Sequence, residues 1–131
     1  MFDLLRDALA SDERIAYALL FGSAARGAAH PGSDIDLAIG LKGGTRLETR
    51  ELGTLVASLE AIAGRPVDLV VLDDAPVGVA YRVFRDGIVL LERDRQALVA
   101  RKARAVVEYL DFKPIEERCA RGVLKAAARG R

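Results

Sequence analysis

Two short apolar runs separated by a polar stretch constrain the fold of this chain more than any other feature. Residues 19–21 lead directly into a Gly-Ser pair at 22–23, and residues 37–39 follow the triplet Asp-Ile-Asp at 34–36. Short apolar runs bounded by glycine and polar residues are typical of β-strands. Because side chains two positions apart on a strand point to the same face, the two aspartates are expected side by side, with the isoleucine turned into the core.

The carboxylates of Asp34 and Asp36 would repel each other unless a cation lay between them. A hard cation such as Mg²⁺, held by carboxylates together with substrate phosphates, suits that position. Gly22 allows a ligand to approach the backbone closely. The Ser23 hydroxyl and nearby amides can donate to phosphate oxygens, especially where a helix begins. This combination indicates a metal-dependent nucleotide site, and the alternative is an exposed turn with two solvated aspartates.

The pattern G-S-x10-D-x-D resembles the signature of the polymerase-β-type nucleotidyltransferases. The fuller text, Gly-Ser-Ala-Ala-Arg-Gly at 22–27 and Ser-Asp-Ile-Asp-Leu at 33–37, most resembles the minimal nucleotidyltransferases (MNT). Many of these are antitoxins encoded beside a HEPN-domain toxin. The signature covers residues 21–39, and a weaker similarity in the order of elements continues to about residue 94. The resemblance implies an α/β (α+β) fold, with a small mixed sheet flanked by helices and followed by C-terminal helices.

A third acid on a following strand is also part of the family pattern. Asp68 is the preferred residue for it, because its apolar flanks place it in the middle of a predicted strand at 67–72. The apolar content of that strand predicts burial on both faces. A buried carboxylate would need a nearby metal or other cation. Asp73 and Asp74, at the end of the same strand, are the alternatives, and helix capping is their other interpretation.

The resemblance also assigns roles to the site residues. Two Mg²⁺ ions, with Mn²⁺ as an alternative, would be held by Asp34, Asp36 and Asp68 and by the triphosphate of ATP. Gly22, Ser23, Arg26 and Ser33 form the predicted nucleotide-binding group. Within it, Arg26 either holds the triphosphate or pairs with an aspartate to fix the loop, and Ser33 is expected mainly to shape the turn. His30 is interpreted as a loop residue rather than a base.

The alternation of helical and strand patterns predicts one domain, residues 1–131, with a catalytic core at about 1–94 and a helical part at about 95–131. Thr45 is the predicted N-cap of the third helix. Pro114 is predicted to break or kink the C-terminal helix, separating a last helix with Ile115, Cys119, Val123 and Ala126 along one side. The predicted strands are 14–21, 34–41, 67–72 and 88–91, and the predicted helices are 2–10, 24–28, 45–63, 75–86, 94–110 and the segment after Pro114.

Composition narrows the class of protein. With 51% hydrophobic and 30% charged residues, the sequence is that of a globular protein. Its apolar runs are too short to span a bilayer, and its first residues predict a charged helix rather than a signal peptide. A lone cysteine, Cys119, excludes an internal disulfide or a cysteine zinc site, and it is expected in the core. A cytoplasmic location is therefore predicted.

Charge is unevenly distributed along the chain. Residues 1–91 carry nine Lys/Arg against thirteen Asp/Glu, and residues 92–131 carry eleven against six. An acidic catalytic part followed by a basic helical part suggests an oriented charged partner, although a solvated basic helix explains it equally well. Direct nucleic-acid binding is not favoured, because the basic residues are not interleaved with aromatic ones.

The leading functional hypothesis is an enzyme that transfers AMP from ATP to a hydroxyl group. For the MNT antitoxins, the implied acceptor is a tyrosine of the partner HEPN ribonuclease toxin, within a toxin–antitoxin complex that can be an oligomer. Few residues remain beyond the predicted core to bind an acceptor. This favours an acceptor that itself supplies the binding surface. The alternatives are an antitoxin that neutralises its partner mainly by binding, and a small-molecule nucleotidyltransferase.

Overall fold

The computed structural model describes residues 1–27 and 32–129, and it describes side chains in 1–27, 32–114, 118 and 119. His30 therefore lies outside the described residues, as does most of the turn predicted at 30–33. A 3₁₀ turn, Leu72–Asp74, joins the third strand to the helix that follows it. The other elements are α1 (Phe2–Ala10), β1 (Ile15–Phe21), α2 (Gly22–Ala25), β2 (Ile35–Leu41), α3 (Thr49–Ala63), β3 (Val67–Val71), α4 (Val77–Asp86), β4 (Ile88–Glu92) and α5 (Arg95–Arg129).

The four strands form one mixed sheet in the order β3-β2-β1-β4. The central strand β1 is antiparallel to both β2 and β4, whereas β2 and β3 run parallel. The parallel pair follows from the connection, because α3 carries the chain back across the sheet before β3 begins. The predicted fold class, a small mixed sheet flanked by helices, is confirmed.

Side chains of the strands alternate between two apolar layers. One layer lies against α1 and α3 and includes Leu5, Leu9, Ile15, Leu20, Ile35, Leu37, Ile39 and Leu59. The other lies against α4 and α5 and includes Leu19, Ala38, Leu72, Ala80, Val83, Phe84, Leu98 and Ala105. Because side chains alternate along a strand, Asp36 shares its face with Ala38 and points to the layer of α4 and α5.

The prediction that β3 is buried on both faces is wrong. Only Val67 of this strand is buried, and Asp68 is exposed. The physical reason is that β3 is an edge strand, with β2 on one side and no further strand on the other among the described residues. The Asp68 carboxylate therefore keeps its hydration, and burial supplies no argument for a cation beside it.

The predicted N-cap of α3, Thr45, is also wrong. The helix begins at Thr49, where Glu48 and Glu51 form a reciprocal capping box. The Glu48 amide donates to Glu51 Oε1 at 3.0 Å. Thr45 instead lies in the turn after β2, which its amide closes by donating to the Lys42 carbonyl at 3.0 Å.

The predicted break at Pro114 does not occur, because α5 continues through it to Arg129; the alternative, a kink, stays a prediction. A proline inside a helix removes the hydrogen bond to the carbonyl four residues earlier. That carbonyl belongs to Leu110, whose side chain is 61% exposed, so water can replace the lost donor. Cys119, expected in the core, is exposed. The side chains of Ile115, Val123 and Ala126 lie outside the described residues, and the boundary at residues 94 and 95 stays a prediction.

A buried arginine ties α5 to the end of β3. Arg101 donates to the Leu72 carbonyl through Nε at 3.2 Å and Nη2 at 2.9 Å. Its side chain is only 8% exposed, and its Nη1 has no hydrogen-bond acceptor among the described residues. Desolvation accordingly lowers the pKa of this guanidinium from its ordinary value. None of the helices within residues 1–27 and 32–129 has the length and apolar character needed to cross a membrane.

Close packing between β1 and β2 gives a first testable prediction. A Cβ at Gly40 would overlap the ring of Tyr17, its partner on β1. Gly40→Ala should lower the free energy of unfolding by about 1–3 kcal/mol, the usual cost of overpacking. Gly43→Ala is the matched control, since no described atom lies within 4 Å of a Cβ there. Urea unfolding measures both variants, and equal midpoints would show that Tyr17 moves aside without cost.

Candidate active site

The end of β1 brings a glycine against a carboxylate. The last residue of β1, Phe21, is the register partner of Asp36 on β2. Gly22 follows at φ +70°, and a Cβ there would overlap the Asp36 carboxylate, lying 2.9 Å from its Cγ. Only glycine satisfies both the left-handed conformation and the lack of space. The sequence predicted a close approach by a ligand, whereas the group that occupies this space is the side chain of Asp36.

The predicted carboxylates occupy one region of the sheet, and we call Asp34, Asp36 and Asp68 the carboxylate cluster. Asp68 is the register partner of Asp36 across the parallel β2–β3 pair. Asp34 precedes β2 by one residue and is exposed, while Asp36 is half-buried. Burial, followed by the charges of Asp68 and Asp34, raises the pKa of the Asp36 carboxyl above its ordinary value, and Arg26 opposes this rise. The three acids therefore act on one another electrostatically.

The cluster suits a cation that is completed by substrate. Among the described residues, no three histidine, cysteine or acidic side chains converge closely enough to hold a metal ion by themselves. Mg²⁺ is commonly bound by one or two carboxylates, with substrate phosphates and waters as its other ligands. Asp34 and Asp68 repel the Asp36 carboxylate, and a bound cation would relieve this repulsion. The cluster is therefore suited to such an ion.

The two alternative acids lie elsewhere. Asp73 Oδ1 accepts a hydrogen bond from the Leu41 amide at 3.1 Å. Leu41 ends β2, whereas Asp36 lies near the start of that strand. Asp74 is exposed in the 3₁₀ turn that follows β3. This geometry supports Asp68 as the third acid, because it alone of the three is in register with Asp36.

Three of the four predicted nucleotide-binding residues, Gly22, Ser23 and Arg26, lie in α2 or directly after it. Ser23 lies in the single turn of α2 and is half-buried. Ser33 is half-buried directly before Asp34. Arg26 follows α2 and is exposed; its charge opposes the rise in the pKa of Asp36 and, after the hydrogen bond from Arg85, helps to lower the pKa of Asp86. Arg26 therefore lies between the carboxylate cluster and α4.

A cleft of about 240 Å³ separates α2 from α4, and we call it the α2–α4 cleft. Its lining consists of Phe21, Gly22, Arg26, Val79, Arg82, Val83 and Asp86. Two of these, Gly22 and Arg26, are site residues predicted from the sequence, whereas Arg82 is not among the predicted residues. Arg82 is exposed and lies three residues after Val79, so it borders an apolar position of α4, but the sequence pattern does not show that this side of the helix faces α2.

The chain belongs to the polymerase-β nucleotidyltransferase family, whose model, "Polymerase beta, Nucleotidyltransferase", matches residues 4–96. It is therefore classed among the nucleotidyltransferases, and the predicted enzyme class is confirmed at that level. No curated protein matches the sequence.

Several solved structures share the fold. A chain of a toxin–antitoxin complex with AMP-PNP has a TM-score of 0.81 and 21% identity, and the match covers 95% of this chain and 99% of that one. A chain of the MntA–HepT toxin–antitoxin complex has a TM-score of 0.77 and 19% identity, covering 94% and 96%. A chain of the complex of tri-AMPylated Shewanella oneidensis HEPN toxin with MNT antitoxin has a TM-score of 0.75 and 19% identity, covering 95% and 99%. The resemblance to MNT proteins is thus confirmed in the fold.

Two glycines with the same backbone conformation allow the role of Gly22 to be tested. Gly22 and Gly27 both have φ +70°, so alanine strains the backbone at either position. Only at Gly22 does the added Cβ displace Asp36, since no described atom lies within 4 Å of a Cβ at Gly27. Gly22→Ala should slow nucleotide transfer about 100-fold, the effect of misplacing a reacting group by an ångström. Gly27→Ala should retain most activity, and similar losses in both variants would contradict this account.

The raised pKa of Asp36 gives a prediction for stability without metal. An acid with a raised pKa in the folded state destabilises the fold when ionised, so metal-free stability should fall as pH rises through that pKa. Asp36→Asn removes this charge. Relief of about 0.2–1 kcal/mol, the usual size of one cross-strand side-chain interaction, should raise the melting temperature in EDTA by about 1–4 °C.

The matched control for this measurement is Asp74→Asn, which removes an exposed carboxylate after β3. Its melting temperature in EDTA should equal that of the unmodified chain. An Asp36→Asn variant that melts at or below the control temperature would show that repulsion in the carboxylate cluster is negligible.

Proposed function

We propose that the chain is an antitoxin that transfers AMP from ATP to a tyrosine hydroxyl of a partner HEPN ribonuclease toxin. The observation that carries the proposal is the close packing of Gly22 against Asp36, with Asp68 in register beside it, in a chain of the nucleotidyltransferase family. The similar solved structures supply the substrate and the partner, since one contains AMP-PNP and another an AMPylated HEPN toxin. Use of ATP and of an RNA-cleaving partner is consistent with the cytoplasm.

In this proposal the carboxylate cluster holds Mg²⁺, as two ions, with Mn²⁺ as an alternative. When bound, the metal would lower the pKa of the attacking hydroxyl and neutralise charge on the phosphates. Asp34, Asp36 and Asp68 would be its protein ligands. Ser23, in the first turn of α2, and Arg26, beside Asp36, bind phosphate oxygens of the nucleotide, and Ser33 shapes the approach to Asp34.

The transfer itself exchanges one bond for another. A bond forms between the tyrosine oxygen and the α-phosphorus of ATP, and the bond from that phosphorus to the oxygen bridging to the β-phosphate breaks. Pyrophosphate leaves with the electron pair, and the hydroxyl proton passes to Asp68. The exposure of Asp68 on an edge strand supports this role, because a carboxylate there can be reached by a group on another protein.

A second function, neutralisation by binding alone, is favoured by a different observation. Helix α5 exposes Val99, Val107 and Leu110, which are 55%, 59% and 61% accessible. These positions are eight and three residues apart, which places them along one side of the helix, and a contiguous exposed apolar patch is typical of a surface that binds a partner protein. An antitoxin that occludes its toxin through α5 would use these residues and would need no chemistry at the carboxylate cluster.

The decisive experiment is incubation of the chain with a HEPN protein encoded beside it, ATP and Mg²⁺, followed by intact-mass analysis of both proteins. The HEPN protein should gain the mass of one or more adenylyl groups, and EDTA should prevent the gain. The double variant Asp34→Asn/Asp36→Asn should abolish transfer, because removal of both carboxylates removes the metal site. Asp68→Asn should also abolish transfer while retaining part of the nucleotide binding, and Asp73→Asn is its matched control.

Retained transfer in the Asp34/Asp36 double variant would exclude the carboxylate cluster as the catalytic site. Loss of transfer in Asp73→Asn but not in Asp68→Asn would mean that the third acid is misassigned. An unchanged mass, together with a stable complex that inhibits the ribonuclease, would establish neutralisation by binding instead.

A further inference from the structure

The α2–α4 cleft has two cationic residues that come from different elements. Arg26 lies after α2, and Arg82 lies in the middle of α4. The cleft adjoins the carboxylate cluster directly, because Gly22 lines the cleft and also packs against the Asp36 carboxylate. A ligand bound at the cluster can therefore extend between these two arginines.

The acid in this cleft is already neutralised. Asp86 accepts two hydrogen bonds from Arg85, at 2.9 Å from Nε and 2.8 Å from Nη2. This bidentate pair holds the pKa of the Asp86 carboxyl below its ordinary value. Asp86 is therefore not available as the counter-charge of Arg82, four residues earlier on the same helix.

Arg82 has a hydrogen bond that positions its side chain but leaves its charge uncompensated. Its Nε donates to the Gly78 carbonyl of the same helix at 3.1 Å. No carboxylate of the described residues forms an ion pair with it. Two guanidinium groups that line one cleft repel each other unless an anion lies between them. The cleft is therefore suited to a polyanion, and guanidinium donors match phosphate oxygens well.

We propose that Arg82 is a phosphate-binding residue that, together with Arg26, holds the β- and γ-phosphates of the nucleotide. This inference rests on the nucleotide transfer proposed above. As the bond between the α-phosphorus and its leaving oxygen breaks, negative charge collects on the departing pyrophosphate. A guanidinium already fixed on α4 stabilises that charge without having to reorganise. Arg82 thus adds a contact from α4 to those that the Gly-Ser signature supplies from α2.

The test is a comparison of three ligands, each with Mg²⁺: ATP, inorganic tripolyphosphate and AMP. Calorimetry gives their dissociation constants for the unmodified chain, Arg82→Gln and Arg82→Lys. Arg82→Gln should weaken ATP and tripolyphosphate about 10-fold or more, as expected for loss of a charged hydrogen bond, and should leave AMP binding unchanged. Arg82→Lys should recover part of the affinity, because it keeps the charge but not the planar fork.

Arg50→Gln is the matched control, since Arg50 is an exposed arginine on α3, at the opposite face of the sheet. It should bind all three ligands like the unmodified chain. Equal affinity of Arg82→Gln and the unmodified chain for ATP would overturn the inference, as would equal weakening of ATP and AMP. Failure of the unmodified chain to bind MgATP at all would instead overturn the proposed function. Normal ATP binding by Arg82→Gln with weaker capture of the HEPN protein would assign Arg82 to the acceptor and also overturn the inference.

Discussion

The contact between Gly22 and the Asp36 carboxylate is the constraint on which the rest of the site depends. The antiparallel register pairs Phe21 with Asp36, so the chain must leave β1 directly beside an acidic side chain. A residue with a Cβ would displace that carboxylate, and a left-handed turn at this point is accessible to glycine at little cost. The glycine of the signature therefore fixes the position of a carboxylate.

The carboxylate cluster also concentrates negative charge around Asp36. Asp36 is half-buried beside two other acids, and its pKa is raised accordingly. An arrangement that served stability alone would neutralise at least one of these groups. The cluster lies at an edge strand, where Asp68 remains exposed, and this leaves it open to the cation, triphosphate and acceptor of the proposed function. The pairing of Asp36 with Asp68 on an edge strand therefore accounts both for the repulsion at Asp36 and for the exposure of the cluster.

The sequence was sufficient for part of the fold, although one local signal was misread, because the capping box of α3 is formed by Glu48 and Glu51 and not by Thr45. Spacing and apolar periodicity predicted the strands β1 and β2. They failed where distant packing decides, because a run such as Val67–Val71 is equally compatible with a central strand and with an edge strand. The same limit explains Cys119 and Arg82. A helix pattern alone does not show which of its sides faces another element, so an exposed cysteine was expected in the core and a cleft arginine was passed over.

Helix α4 connects the proposed phosphate site with the helix that exposes apolar side chains. Tyr81 of α4 stacks on Tyr109 of α5, with ring centroids 3.9 Å apart and planes 8° from parallel. Arg85 lies over the Tyr81 ring, 5.8 Å from its centroid, and Arg82 lines a cleft with both tyrosines. Parallel stacking and a cation over the ring each favour a fixed geometry. A protein bound to α5 would therefore contact a helix that is packed rigidly against the one carrying Arg82, and acceptor and nucleotide would be held by a single structural unit.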